Sequence, residues 1–261
     1  MSQAHERARA LYEARRTRKP VPPFTDADPS LGAADGYATQ KELLELLLAD
    51  GDEVIGHKVG LTSAPARALL GIDSPDHGPL LASAVYRDGD TLPLDRFIQP
   101  KIEAEIVLRI GSPLRGPGVT VEQAREAVSE VRAGVEIVDS RIEDWRIRIA
   151  DTVSDLASTG AIAVSETALP LEGFDPRLLG MVLSRNGEVV DTGVGAAALG
   201  DPLAVLAWLA NALGESGRGL EPGQLVLTGA LHTPIALAAG DEFTAEFDRL
   251  GSLTLRVAET G

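Results

Sequence analysis

Two N-terminal segments carry apolar residues at helical spacing. The first runs from Gln3 to about Arg18 and ends before a proline-rich stretch. The second runs from Tyr37 to Ala49, is rich in leucine, and is followed by Gly51 as a stop signal. The chain is therefore expected to begin with two helices.

Beyond residue 51 the pattern changes to short runs rich in β-branched residues, separated by glycine and aspartate turns. The Asn-Gly pair at 186–187 is a strong signal for a two-residue hairpin loop. Three further helices are predicted: one capped by Ser63, one after a capping box that begins at Thr120, and one after the Asp-Pro pair at 201–202.

Together these patterns predict an α+β fold. We expect an N-terminal helical portion at residues 1–50 and a β-rich body at residues 51–261. The two are expected to form one cooperative unit, because no long linker or repeat separates them.

The charge balance narrows the range of partners. The chain has 39 acidic and 24 basic residues and a net charge of −15, which would repel a nucleic-acid backbone. An acidic enzyme that binds an anionic substrate needs a local positive centre, which a lysine or a bound cation can supply. Cysteine is absent, so the chemistry must rely on oxygen and nitrogen.

The N-terminus has no apolar run typical of a signal peptide, and no later segment is expected to reach membrane-spanning length. These features predict a cytoplasmic protein that does not bind a membrane.

Three glutamates stand in two strands whose opposite face is apolar. In KIEAEIVLRI, Glu103 and Glu105 share one face, and Glu136 projects in the same way from VEIVD. Neighbouring carboxylates repel each other unless solvent, a proton or a cation lies between them. One interpretation is the solvated face of an edge strand. The other is a metal site, whose oxygen ligands would select Mg²⁺ or Mn²⁺ over zinc or copper.

Several more polar residues have two interpretations each. Lys58, in GHKVGLTS, is either an anion partner and proton carrier or an exposed strand lysine. Asp76 and His77 lie in SPDHGP, which has the composition of a turn, and His57 is expected to face away from Lys58. His232, in TGALHTP, either lines a pocket or belongs to a turn.

Seven stretches together resemble the 2-keto-4-pentenoate hydratase and 4-oxalocrotonate decarboxylase family, a branch of the fumarylacetoacetase superfamily. The resemblance covers almost the whole chain. Its matching stretches are GHKVGLTS, QPKIEAEIVL, GVEIVDSRIEDW, ADTVSDLAS, NGEVVDTGVGAAALGDPLAVLAWLA, LTGAL and GDEFTAEFDRLGS.

The resemblance implies a mixed β-roll or sandwich body of the fumarylacetoacetase C-terminal-domain type with an N-terminal helical portion. It also implies assembly into a high-order homo-oligomer, with a pathway enzyme as a possible further partner. In this family Mg²⁺ or Mn²⁺ would be held at the positions of Glu103, Glu105 and Glu136.

The resemblance also assigns roles to three more positions. Lys58 matches the family's active-site lysine, and Asp76 stands where family members carry an acid near the substrate. Ser158 matches a small polar residue that lines the pocket. His232 is a second substrate-binding candidate from its place after a strand. Leu156 departs from the family's usual DNAS sequence, so a polar contact from that position is lost.

The activity implied is hydration of 2-hydroxypenta-2,4-dienoate, the enol of 2-oxopent-4-enoate, to 4-hydroxy-2-oxopentanoate, a step of aromatic meta-cleavage catabolism. A competing activity is decarboxylation of 2-oxo-3-hexenedioate. That diacid would need a cationic group at the far end of the pocket, and no arginine is assigned to it, since Arg67, Arg146 and Arg148 have no predicted place. The sequence TGAL also looks more like the hydratase branch.

Two further functions remain open. Hydrolysis of an acylpyruvate would need a water-activating base such as His77 or His232. A non-enzymatic partner that binds metal only structurally would be a protein of a different class, and the presence of Lys58 and Glu103 argues against it.

Overall fold

The computed structural model describes residues 2–259, apart from the side chains of Leu69 and Leu70. The α-helices within this range are α1 Gln3–Thr17, α2 Phe24–Ala27, α3 Ala33–Ala49, α4 Ala64–Leu70, α5 Val121–Ala127, α6 Ile149–Ser154 and α7 Pro202–Glu215. The strands are β1 Val54–Gly60, β2 Asp76–Leu81, β3 Val85–Arg87, β4 Thr91–Leu92, β5 Lys101–Ile110, β6 Val128–Val138, β7 Thr159–Leu169, β8 Gly180–Arg185, β9 Glu188–Val194, β10 Leu225–Leu227, β11 Ile235–Ala236, β12 Glu242–Phe247 and β13 Gly251–Val257.

The predicted helices are all present. Helix α1 is capped by Ser2, whose side chain accepts a hydrogen bond from the His5 amide at 3.1 Å. Helix α3 begins at Ala33, four residues before the predicted start, because the Asp35 side chain accepts from the Gly32 amide and closes the first turn. Helices α2 and α6 were not predicted, since both are too short to show apolar periodicity.

The N-terminal helices pack directly on the body. Six buried residues form one apolar cluster that spans α1, α3 and the body, and they are Ala8, Leu11, Leu43, Leu81, Ile142 and Leu156. From α3, the Gln40 side-chain amide donates to the carbonyls of His77 and Val153 at 3.0 Å each. Helix α3 is thus fixed to both β2 and α6.

A mixed sheet of eight strands forms the larger part of the body, in the order β2-β1-β10-β5-β6-β7-β3, with β11 also paired to β5. The prediction of a turn in the segment SPDHGP is wrong from Asp76 onward. Asp76 begins β2, which pairs antiparallel with β1 and is buried along its length. Pairing to a neighbouring strand overrides the local turn preference of Asp, Gly and Pro.

A second, antiparallel sheet has the order β4-β13-β12-β8-β9, with one parallel pair between β4 and β13. The predicted hairpin joins β8 to β9, and Asn186 and Gly187 have the positive φ values of 54° and 83° that a two-residue turn requires. Residues from both sheets, α5 and α7 share the main core. The predicted α+β fold, with N-terminal helices on a curled β body, is confirmed.

One segment corrects the expectation about length. Residues Gly195–Glu215 are long and apolar enough to cross a membrane, with a mean hydropathy of 1.4. In this structure α7 lies within that segment and buries Leu203, Leu206 and Leu209 in the main core. Its apolar character is therefore that of a core helix.

Candidate functional site

The three glutamates meet on one face of the eight-stranded sheet. Strands β5 and β6 are antiparallel, and Glu103 lies directly opposite Glu136. Glu105 follows on the same face, because side chains alternate along a strand. One carboxylate oxygen from each glutamate lies within 4.8 Å of the others. Glu105 and Glu136 are buried, with 1% and 0% of their surface exposed, and Glu103 is partly buried.

Strand β5 is an interior strand, paired on one side with β10 and β11 and on the other with β6. The interpretation of Glu103 and Glu105 as the solvated face of an edge strand is therefore wrong. Three carboxylates in the interior of a sheet need a cation or protons to offset their mutual repulsion.

The segment after β10 holds β5 in position. The Gly229 amide donates to Glu105 Oε2 at 2.7 Å, and the Leu231 amide donates to the Ala104 carbonyl at 3.1 Å. Gly229 has a φ of 101°, and an added Cβ would lie 2.2 Å from Thr62 Oγ1. Only glycine fits both requirements, so the TGAL sequence orients a carboxylate through its backbone.

His232 belongs to the same segment. Its Nε2 accepts a hydrogen bond from the Ala104 amide at 2.8 Å, and its Nδ1 lies 2.7 Å from the Thr233 carbonyl. Because Nε2 accepts, the proton must lie on Nδ1, which donates to that carbonyl. Burial lowers the pKa of His232, which keeps the ring neutral. Both ring nitrogens of this substrate-binding candidate are thus engaged by the backbone.

The electrostatics of the cluster are dominated by burial and by repulsion between the carboxylates. Burial and the charge of Glu136 raise the pKa of Glu103 to about 7. Burial and the two neighbouring glutamates raise the pKa of Glu105 well above its usual range. Burial likewise raises the pKa of Glu136, although Lys58 opposes this shift. Neither Glu136 carboxylate oxygen has a hydrogen-bond partner among the described residues.

Lys58 and Asp76 complete the polar face. Lys58 Nζ lies 3.4 Å from Glu136 Oε2 and donates to the Ala157 carbonyl at 2.9 Å. Burial alone would lower the pKa of Lys58, but Glu136, Asp76 and the two remaining glutamates raise it above its ordinary value. Burial raises the pKa of Asp76 despite the opposing charge of Lys58.

Gly60 makes room for Lys58 and Asp76. Its register partner is Asp76, and a Cβ at position 60 would lie 2.3 Å from Asp76 Oδ1 and 3.2 Å from Lys58 Nζ. Any side chain there would displace the Asp76 carboxylate and crowd the Lys58 ammonium. Asp76 Oδ1 has no hydrogen-bond partner within residues 2–259, so this oxygen is free to take one from a ligand.

The DLAS segment adopts an uncommon backbone conformation. Leu156, Ala157 and Ser158 have φ values of 55°, 53° and 58°, three consecutive left-handed residues without a glycine. Such residues cost on the order of 1–3 kcal/mol each and are concentrated at functional sites. The turn directs the Ala157 carbonyl to Lys58, while the Ser158 hydroxyl lies 3.1 Å from the Thr152 hydroxyl.

Leu156, the departure noted in the sequence, is fully buried in the apolar cluster shared with α1 and α3. Its side chain therefore strengthens the contact between the N-terminal helices and the body.

His57 and His77 lie on the opposite face of β1 and β2 from Lys58. The His77 ring stacks on Tyr37 with centroids 4.7 Å apart and meets the Trp208 and His57 rings edge-on at 6.2 and 6.3 Å, and both imidazoles are buried. Burial lowers the pKa of His57 to about 3 and that of His77 to about 4. The structure thus does not bring either histidine to the glutamates.

The donor set fits a hard divalent cation. It offers carboxylate oxygens only, two of them unpartnered on Glu136 within the described chain, and a cation would offset the repulsion between the three glutamates. A magnesium or manganese ion is compatible with these ligands, and the ion would also leave coordination positions for water and substrate.

Sequence reasoning missed three members of this face because they act through the backbone or by lacking a side chain. They are the Ala157 carbonyl, the Gly229 amide and the space left by Gly60. Only the glycines leave a signal in the sequence.

Comparison with known proteins places this fold and site in a family. A family profile described as fumarylacetoacetate (FAA) hydrolase C-terminal matches residues 64–258. The chain belongs to the fumarylacetoacetate hydrolase family.

Individual relatives narrow the comparison. The chain is 40% identical to a 2-keto-4-pentenoate hydratase of Paraburkholderia xenovorans, over 96% of this chain and 93% of that protein. It is 38% identical to a 2-hydroxyhexa-2,4-dienoate hydratase of Comamonas testosteroni, over 95% of each. Among solved structures, 4-oxalocrotonate decarboxylase from Pseudomonas putida, complexed with magnesium and adipate, superposes with a TM-score of 0.95 at 34% identity, covering 98% of this chain and 97% of that one.

Proposed function

We propose that this chain is a divalent-metal-dependent hydro-lyase that converts 2-hydroxypenta-2,4-dienoate, or a close analogue, to 4-hydroxy-2-oxopentanoate. The observation that carries the proposal is the buried cluster of Glu103, Glu105 and Glu136 beside Lys58. Similarity to hydratases over nearly the whole chain supports the choice of reaction.

In this proposal the three glutamates hold Mg²⁺ or Mn²⁺. When bound, the cation supplies Lewis-acid stabilisation of negative charge on the substrate oxygens. The residues of the chain do the rest: the Gly229 amide fixes Glu105, and the His232 ring fixes the backbone between Glu103 and Glu105.

Lys58 and Asp76 are the proposed proton-transfer groups. Lys58 remains an ammonium at neutral pH, because neighbouring carboxylates raise its pKa, so it can donate a proton or hydrogen bond but not accept one. Asp76 has a raised pKa and an unpartnered oxygen among the described residues, which suit it to accept a proton from the dienol hydroxyl or the attacking water. Ser158 is proposed to contact the substrate.

The face around the glutamates favours hydration over decarboxylation of a diacid. Three apolar side chains share this face. On β5, Val107 follows Glu105; on β10, Leu227 pairs with Val107 on one side and with Lys58 on the other. On β7, Ile162 lies opposite Glu136. These side chains form one apolar cluster with Leu80. Arg132, opposite Val107 on this face, is already paired with Glu130 at 2.8 Å and donates to the Ser165 carbonyl. The remaining apolar surround suits the vinyl end of a dienoate better than a second carboxylate.

Hydrolysis of an acylpyruvate and a purely structural role both lose support. A hydrolase would need a histidine base, but His77 lies on the opposite face and both His232 nitrogens are engaged. A non-enzymatic role gives no reason for an Asp76 oxygen that lacks a partner within residues 2–259 and lies beside an ammonium group.

The test is to follow 2-hydroxypenta-2,4-dienoate and 2-oxo-3-hexenedioate separately, with chelator, Mg²⁺ or Mn²⁺, and to identify the products. The proposal expects metal-dependent loss of the dienoate and formation of 4-hydroxy-2-oxopentanoate. We expect Asp76→Asn to lower kcat strongly, with metal binding retained as measured by calorimetry. Carbon dioxide release from the diacid, without hydration of the dienoate, would establish the decarboxylase instead.

Two proposals concern organisation. The helical portion at 1–50 and the body at 51–261 should unfold as one unit, since α3 is bonded to β2 and α6, and calorimetry should show a single transition. Two transitions would contradict this.

We also propose a cytoplasmic homo-oligomer that contacts through the edge strand β9. Val189 and Val190 are 63% and 41% exposed there, and Leu178 nearby in the chain is 74% exposed. Light scattering should give a molecular mass that is a multiple of 27.4 kDa. Val190→Asp should reduce this mass, and Val85→Asp on β3 should not. A mass of one chain would contradict it.

A further inference from the structure

A cavity of about 200 Å³ lies between the C-terminal end of α1 and the strands β6 and β7, away from the glutamate cluster. We call it the arginine cavity, because Arg15, Arg18, Arg96 and Arg141 line it. Ala161, which also lines it, is the register partner of Ile137. Its side chain is thus on the sheet face opposite Glu136.

The arginine cavity keeps an excess of positive charge. Four arginines face two aspartates of the lining, Asp52 and Asp139, and Asp155 pairs with Arg141 beside it, in a chain whose overall charge is −15. Both aspartates are already engaged: Asp52 accepts from the Ser83 hydroxyl and amide, and Asp139 accepts from the amides of residues 98 and 99. Their oxygens have limited capacity left for further guanidinium groups.

Within the described chain, three of the four arginines have no acidic partner. Arg141 is paired with Asp155 at 2.6 Å. Among residues 2–259, by contrast, no carboxylate oxygen lies within 4.0 Å of a guanidinium nitrogen of Arg15, Arg18 or Arg96. Arg15 donates only to the Thr159 carbonyl in this range, at 3.4 Å, so most of its five N–H donors are unused.

Arg15 is the strongest indication of a ligand. Burial and the nearby charge of Arg141 lower the pKa of Arg15 to about 10. Arg15 is half-buried, and although Asp155, Asp139 and Asp52 oppose the shift, none of them pairs with its guanidinium, so an anion at this position would add favourable charge. Its fork of donors matches a carboxylate in two-point geometry.

The rest of the lining limits the kind of anion. Leu47, Leu81, Ala84 and Phe97 supply an apolar wall, which inorganic phosphate or sulfate would not use. The volume is below the roughly 300–1,000 Å³ of pockets for drug-sized ligands. Arg15 inside the cavity and the exposed Arg18 and Arg96 at its rim are separate cationic groups, which suits a ligand with a carboxylate at each end.

We propose that the arginine cavity is a second binding site, which takes a short-chain dicarboxylate. The carboxylates would pair with Arg15 and with Arg18 or Arg96 at the rim, and the carbon chain would lie on the apolar wall. Such a ligand would connect α1 to the Thr159 backbone and stabilise the contact between the helical portion and the body.

The test is to titrate the full-length, Mg²⁺-loaded protein with glutarate at constant ionic strength, by calorimetry and by the thermal midpoint. We expect glutarate to bind and to raise the midpoint. Arg15→Gln and Arg96→Gln should each weaken binding by about tenfold, equivalent to about 1.4 kcal/mol. Arg96 is exposed, so its replacement should not disturb folding, and Arg87→Gln, outside the cavity, is the matched control that should bind normally.

Glu105→Gln separates this site from the glutamate cluster. Binding that persists in Glu105→Gln and fails in the two arginine variants supports the proposal. Binding that requires Glu105 and Mg²⁺ but tolerates both arginine changes would assign glutarate to the metal centre and overturn it. The proposal is also overturned if sodium chloride of equal ionic strength gives the same midpoint, or if glutarate does not bind at all.

Discussion

Two groups of buried charges lie close together at the end of β6, and they are built differently. Around Arg141, the guanidinium Nε donates to Asp155 Oδ1 at 2.6 Å, and the Arg141 amide donates to the second Asp155 oxygen at 2.8 Å. Asp139 accepts from two backbone amides. Around Glu136, by contrast, the ammonium of Lys58 lies 3.4 Å from one carboxylate oxygen, and neither oxygen has a close hydrogen-bond partner in the described part of the chain.

The difference separates a structural ion cluster from the candidate metal site. Buried charges that only support the fold use their hydrogen-bonding capacity within the protein. Around Glu136 one ammonium, that of Lys58, faces three carboxylates whose pKa values are raised, an arrangement typical of sites that bind a further cation. Burial alone would not distinguish the two groups, because both are almost fully enclosed.

The largest expected effect comes from Glu105→Gln. Because the change neutralises one of three carboxylates that repel each other, the metal-free protein should become more heat-stable. Turnover with Mg²⁺ should fall by about a thousandfold, because the several kcal/mol by which the bound cation stabilises the transition state are lost. Unfolding scans with and without chelator, together with the hydration assay, measure both. Glu246→Gln, an exposed change on β12, should alter neither. A loss of stability in metal-free Glu105→Gln would contradict the distinction.

Arg141→Met should have the opposite effect on stability. It leaves Asp139 and Asp155 buried without their cation, which should lower the free energy of unfolding by about 3–5 kcal/mol. The matched control is Arg256→Met, which removes an exposed pair with Glu242 and should cost less than about 1 kcal/mol. Urea unfolding gives both values. Equal effects of the two changes would contradict a special structural role for Arg141.

The pH dependence of the metal-free protein sharpens the comparison further. Glu103 has a pKa of about 7 when folded and an ordinary value of 4.5 when unfolded. Between these pH values the folded state keeps a proton that the unfolded state has lost, so stability should fall as pH rises. The loss should be on the order of 3 kcal/mol from Glu103 alone.

Urea unfolding of metal-stripped protein across this range measures the loss. Mg²⁺ should restore stability at the upper end, where no proton competes with it. Glu103→Gln should reduce the slope of the profile by the contribution of Glu103, while Glu105 and Glu136 keep theirs. Stability that rises with pH would show that the carboxylates are compensated within the protein.

The smallest effect is expected from His232→Leu. It leaves the Ala104 amide without its acceptor and should cost about 1–3 kcal/mol of stability. Because Ala104 lies between two proposed ligands, the Mg²⁺ concentration for half-maximal activity should also rise. His5→Leu, at a surface pair with Glu42, is the control. If His232 contacted the substrate directly, its replacement would instead raise KM for the dienoate and leave the Mg²⁺ dependence unchanged.

The shared face of the glutamates could be predicted from the sequence, because the alternation of side chains along a strand depends only on local geometry. The spacing of Glu103 and Glu105 predicts their shared face, and their opposition to Glu136 follows once β5 and β6 pair. The interior position of β5 could not be derived, since it depends on β10, which is distant in the chain.

Tertiary contacts that override local preference set the remaining features. Asp76 lies in a strand although its neighbours favour a turn, because β1 supplies a partner. The left-handed turn at Leu156–Ser158 contains no glycine or asparagine to indicate it. His232 carried two interpretations in the sequence, and only the contacts of its two ring nitrogens show how it is held.

The gap at Gly60 has a consequence for how this chain can change. Position 60 contributes no functional atom, yet even a methyl group there would collide with Asp76 Oδ1. In a saturation mutant library selected for growth on the pathway's aromatic substrate, position 60 should therefore tolerate as few replacements as the acidic positions. Replacements that change substrate specificity should therefore be found at other positions of the polar face and not at position 60.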